Sequence, residues 1–85
     1  MPQVFLSRII VEPDVCNGNA HIRGTTVEVA AILDKIARGA TIHEIIGDWP
    51  VLTLIDLQSA AAYAAKLIRE ANAQGMGSYS EESEQ

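Results

Sequence analysis

The feature that most constrains this chain is a change of hydrophobic period at residues 25–29. Up to Thr25 the sequence reads as extended backbone with a turn glycine, Gly24. From Thr26 onward the large apolar residues fall at Val29, Ile32, Leu33 and Ile36, a spacing that places them on one face of a helix. Thr26 can cap that helix by accepting from a first-turn N–H, and Gly39 supplies the left-handed residue that ends it. A chain built this way couples a small β unit to a helical body.

The β unit lies upstream. Arg8-Ile9-Ile10-Val11-Glu12 is rich in β-branched residues and is stopped by Pro13, which predicts a short strand. Alternation turns Ile9 and Val11 toward a core and Arg8, Ile10 and Glu12 the other way. Asn17-Gly18 is a turn signal, because both residues tolerate positive φ. Ala20 to Arg23 then returns as a second strand. A two-stranded hairpin is unstable alone in water, so it must lie on the helices or pair with another chain along its edge.

Downstream, Thr41-x-x-Glu44 is a capping-box pattern that opens a brief helix with Ile42, Ile45 and Ile46 inward. Gly47-Asp48 ends it. Trp49-Pro50 makes a turn, with Trp49 expected to be the largest core plug. Thr53-x-x-Asp56 repeats the pattern with a shorter acid, and a third helix is predicted from Leu54 to Ala73. Its buried stripe is expected to be Leu57, Ala61, Ala64, Ile68 and Ala71, widened by Leu54, Tyr63 and Leu67. The fold class that results is mainly α: a short N-terminal β-hairpin followed by a three-helix, helix-turn-helix (homeodomain-like) bundle. One domain over 1–74 and a disordered acidic tail over 75–85 are expected.

Composition narrows the function. The net charge is −5, and the six basic residues are Arg8, Arg23, Lys35, Arg38, Lys66 and Arg69. Non-specific nucleic-acid binding needs more cations than this to displace counterions, so any DNA contact must come from a local patch. A chain of 85 residues buries only about 60% of its unfolded surface, which favours assembly as a homodimer. Cys16 is the single cysteine, which excludes an internal disulfide and suits a reducing compartment. No apolar run reaches the roughly 20 residues of a membrane span, and no signal-peptide pattern opens the chain, so a soluble, cytoplasmic protein is expected.

Asp14, Cys16, His21, His43 and Asp48 lack the paired spacing of a zinc site, and neither Ser59 nor Cys16 has an identifiable activating base. We expect no metal, no cofactor and no enzymatic activity. His21 reads as a strand side chain and His43 as an exposed helix residue. In a helix-turn-helix the first turn of the third helix enters the major groove. There Thr53 and Gln58 are ordinary DNA contacts, whereas Asp56 repels phosphate. Lys35 and Arg38, near the end of the first helix, complete the candidate DNA-binding set.

Asn17-Gly18-Asn19-Ala20-His21-Ile22-Arg23-Gly24-Thr25, then Gly39-Ala40-Thr41-Ile42-His43-Glu44-Ile45-Ile46, then Trp49-Pro50-Val51-Leu52-Thr53 resemble a known family, "domain of unknown function 433". The likeness covers roughly residues 8–70, in order and with matching gaps. It implies an antitoxin-like helix-turn-helix protein whose partner is a PIN-like ribonuclease, covered at its active site by a segment that orders on binding. That segment would run from Lys66 onward, through Lys66, Arg69 and Glu70 into the tail, with Arg69 meeting the nuclease's metal-binding carboxylates. Many relatives carry Arg where this chain has Thr26, so a contact made by that Arg is not expected here. Two other readings stand beside it. One is a DNA-binding regulator acting on its own operator. The other is a dimerisation module whose hairpins, Arg8, Ile9, Ile10, Val11, Ile22 and Arg23, pair across a two-fold axis.

Overall fold

Short-range pairing of apolar strand residues opens the fold. The computed structural model describes residues 6–75. Strand β1 (Ile9–Ile10) pairs antiparallel with β2 (His21–Ile22), in the register Ile9↔Ile22 and Ile10↔His21. Between them a 3-10 turn, Cys16–Gly18, reverses the chain. Cys16, Asn17 and Gly18 all take positive φ there (53°, 57° and 81°), so the Asn-Gly turn signal extends one residue further back than expected. Both strands are shorter than the sequence suggests, because Val11 leaves the ladder and is exposed instead of facing the core.

After β2 the chain turns through Gly24 (φ 79°) and pairs back on itself. Ile22 N–H donates to the Val27 carbonyl at 3.0 Å, Val29 N–H donates to the Ala20 carbonyl at 3.0 Å, and Glu28 bridges His21. Residues 27–28 are thereby held extended, and helix α1 starts only at Val29 (Val29–Ala37). This displaces the expected cap. Thr26 does not cap α1; Glu28 occupies that position without a side-chain capping bond. The threonine that works locally is Thr25, whose hydroxyl donates to the Ile22 carbonyl and accepts from Val27 N–H, both at 2.9 Å. Sheet pairing has outcompeted an earlier helix start.

Gly39, at φ 92°, ends α1: its N–H reaches the Ile36 carbonyl, and Ala40 N–H reaches back to Lys35. Those are the two bonds of a Schellman motif, and only glycine adopts that φ without strain. Helix α2 (Ile42–Asp48) opens on the anticipated capping box: Thr41 Oγ1 accepts from Glu44 N–H at 3.1 Å, while Glu44 accepts from Thr41 N–H at 2.8 Å. Helix α3 (Leu54–Ala73) opens on the second box, between Thr53 and Asp56. The protein is thus mainly helical, with three helices and a two-stranded sheet among the described residues.

The core is Ile22, Val27, Val29, Ile32, Ile45, Leu52, Leu57 and Ala60, with Ile9, Leu33, Ile46, Trp49 and Tyr63 packed around it. Several expected members are absent from it. Ile36 is 48% exposed and Ile42 53% exposed, each at a helix end beyond the packed seam. Trp49 is half-buried rather than the central plug; that place is filled by Ile22, Ile32 and Ile45. On α3 the buried row runs through Leu57, Ala60 and Tyr63, so Ala60 replaces Ala61. Burial stops about halfway along: Leu67 is 45% and Ile68 61% exposed. A helix of 20 residues spans about 30 Å, longer than the core it covers. The expected acidic tail falls almost wholly in 76–85, outside the described residues.

Candidate functional site

The overhanging half of α3 carries the densest set of predicted binding residues. Lys66, Leu67, Ile68, Arg69 and Glu70 are all exposed. Lys66 Nζ pairs with Glu70 at 2.5 Å, one helical turn away. Such exposed pairs contribute well under about 1 kcal/mol, so the pair can open toward a partner with little penalty. Arg69 has no ion pair among the described residues. Leu67 continues inward to an open groove of about 460 Å³, walled by Val11, Ala20, Ala30, Leu33 and Tyr63, between the hairpin, α1 and α3. Leu67 thus joins the groove's apolar lining, while Lys66 and Arg69, one turn apart, lie on a different face of α3. The remainder of the predicted toxin-binding segment lies outside the described residues.

The predicted DNA-contacting set is differently disposed. Thr53 donates and accepts within its own capping box, its hydroxyl 3.2 Å from Asp56 Oδ2. Lys35 forms an ion pair with Asp48 and stands 5.2 Å from the centre of the Trp49 ring. Gln58 and Arg38 are exposed, and Arg38 has no ion pair among the described residues. Around Gln58 the surface is apolar, since Val51, Leu54 and Ile55 are 60%, 48% and 46% exposed.

Asp56 is not the phosphate-repelling carboxylate that the sequence suggests. It is 2% exposed, turned inward, and accepts from Arg8 Nε at 2.6 Å as well as from Thr53 N–H at 2.9 Å. Burial pushes its pKa upward, but the hydrogen bond from Arg8 and those from Thr53 outweigh this and hold the carboxyl below its usual range. Arg8 therefore staples the hairpin to the start of α3. This contact joins residues 48 apart in sequence, and no local pattern announces it.

The same staple removes Arg8 from the predicted dimer edge. Ile22 is buried at 1% exposure, Ile9 packs on the core, and Arg23 donates through Nε and Nη2 to the Ser7 carbonyl at 3.1 and 2.6 Å. Of the predicted hairpin set, Ile10 and Val11 keep the most freedom to meet another chain.

His21 is the residue that sequence reading most undervalued. It is 3% exposed and sits beneath a cleft lined by Trp49, Val51, Glu12 and Thr26. Its position opposite Ile10 places it on the hairpin face away from Ile22, and parity predicts exposure there. The Trp49–Val51 turn, nearly thirty residues on, lines the same cleft, a proximity that only tertiary structure reveals. Among the described residues no group of three His, Cys, Asp or Glu side chains is arranged to hold a metal ion. Among them, too, no helix is long and apolar enough to cross a membrane.

Comparison with known proteins agrees with this architecture. The sequence model of the family described as "Protein of unknown function (DUF433)" matches residues 9–64. The crystal structure of a DUF433 member protein from Anabaena variabilis ATCC 29413 is similar over 85% of this chain and 71% of that one, with 29% identity and a TM-score of 0.70. No curated protein matches the chain.

Proposed function

The chain belongs to the DUF433 family, and on that premise we propose that it is an antitoxin-like binding protein, neutralising a PIN-like ribonuclease by direct contact. The observation that carries this reading is the overhang of α3. Leu67 and Ile68 stand in water on a helix whose packing is already complete at Leu57, Ala60 and Tyr63. Covering each from its present exposure would contribute about 1 kcal/mol. Lys66 and Arg69 are exposed one turn apart on the same overhang, suited to a partner whose active site is rich in carboxylates. On this reading the protein acts by shape and charge, in the cytoplasm, and covers the nuclease instead of processing a substrate.

The test is co-expression with the product of the adjacent gene. Recovery of a complex and rescue from that product's toxicity support the proposal; toxicity unrelieved and no complex remove it.

A second reading, a helix-turn-helix regulator acting on its own operator, draws support from the order α2, turn, α3. The apolar first turn and the occupied Thr53 and Lys35 side chains give it less to work with. A gel shift at low salt with the upstream DNA decides it, because phosphate-led binding must fall steeply as salt is added. Homodimerisation through Ile10 and Val11 belongs with either reading, and light scattering of Ile10→Lys measures it.

A further inference from the structure

His21 combines near-complete burial with an unused nitrogen. Its Nδ1 lies 3.1 Å from the Asn19 carbonyl, which can only accept, so Nδ1 carries the proton and the neutral ring keeps its lone pair on Nε2. Nε2 has no partner among the described residues. Nor is it sealed away: no buried side-chain N or O among the described residues lacks a hydrogen bond, so Nε2 touches solvent, and His21 lines the cleft. That cleft holds about 690 Å³. Glu12, two residues past the end of β1 and exposed, lines the same cleft as His21 and brings a carboxylate to it. The half-buried Trp49 forms a flat wall, Val15 and Val51 are apolar, and Thr26 adds a hydroxyl at the rim.

Two acceptors and an aromatic wall call for a ligand that is flat, cationic and made of donors. An ammonium matches the charge but not the plane; a carboxylate or phosphate meets Glu12 with like charge. We propose that this cleft is a recognition site for a guanidinium group, whose N–H donors are taken by His21 Nε2 and the Glu12 carboxylate while its plane lies against Trp49. The site is separate from the α3 overhang, and this assignment does not depend on the nuclease reading. The guanidinium can be that of a free small molecule or of an arginine side chain in a protein.

The experiment is an NMR titration of the full, isotope-labelled chain with three probes: methylguanidine, free arginine, and arginine blocked as N-acetyl-N′-methylamide. Methylammonium serves as the control. Saturable shifts at the His21 ring and the Trp49 indole, with a dissociation constant on the order of 1 mM, are expected for the guanidinium probes, given how few atoms carry the contact. Tighter binding of free arginine than of the blocked form identifies a small-molecule site; equal or tighter binding of the blocked form identifies an arginine within a protein. Glu12→Gln, at an exposed position, should weaken binding about tenfold. His21→Phe should abolish it, and Glu12→Gln keeps the test informative if that variant does not fold. Absence of shifts, equal shifts with methylammonium, or unchanged binding in Glu12→Gln overturns the assignment.

Discussion

Asp56→Asn is the perturbation that most sharply probes how this fold is assembled. The native carboxylate is 2% exposed and accepts from Arg8 Nε at 2.6 Å and from Thr53 N–H at 2.9 Å. Asparagine preserves the shape and can still accept from Thr53 N–H, so the substitution chiefly removes the charge. Charge-assisted hydrogen bonds contribute about 1.5–3 kcal/mol. The Arg8 side chain is 42% exposed, so solvent screens the pair and the lower part of that range applies: about 1–2 kcal/mol near neutral pH. For a domain of this size that corresponds to a fall of about 1–2 M in the urea midpoint. The pH dependence carries the sign. Because the folded-state pKa is lowered, the contribution is fully present above the unfolded carboxyl pKa of about 3.9 and is lost as pH falls through the lower folded value. Urea melts of wild type and Asp56→Asn should therefore converge as pH drops through that window. Arg8→Met should give a similar loss, and the double variant should lose less than the sum. A deficit that is the same at every pH, or strictly additive losses, would refute an Arg8–Asp56 staple.

Other substitutions test other links. Leu57→Ala should cost about 2–5 kcal/mol, whereas Ile68→Ala should lie within about 0.5 kcal/mol of wild type, both by denaturant melts. Gly39→Ala should destabilise by about 1 kcal/mol or more, because alanine at φ 92° is strained even though its Cβ meets nothing within 4 Å. Thr41→Ala should remove about 0.5–2 kcal/mol by opening the capping box of α2, with amide exchange fastest at Glu44.

The local signals were legible because their physics is local. The two Thr-x-x-acid boxes set the starts of α2 and α3, Gly39 set the end of α1, and the approximate span of the long helix, Leu54–Ala73, was readable. What the sequence hid depends on distant parts of the chain. The start of α1 moved to Val29 because residues 27–28 found a strand to pair with. The α3 stripe shifted from Ala61 to Ala60, since alanines 60, 61, 62, 64 and 65 leave several stripes equally apolar and only the neighbours select one. Asp56 looked like a surface acid until Arg8 was brought to it. His21 lies on its strand as expected, but its burial and the nearness of Trp49 and Val51 to its cleft depend on distant chain. Among the predicted binding residues, Lys66, Arg69 and Glu70 stay exposed at helical i, i+3, i+4 spacing, while Thr53, Lys35 and Arg8 prove to be engaged internally.

The account stands on the overhang of α3 being a contact surface. The direct measurement is the affinity of the Ile68→Glu variant for the proposed nuclease partner, set against its stability. The expected result is binding weakened tenfold or more, corresponding to about 1.4 kcal/mol, with the urea midpoint unchanged. Wild-type affinity in a variant that carries a carboxylate at position 68 would contradict it.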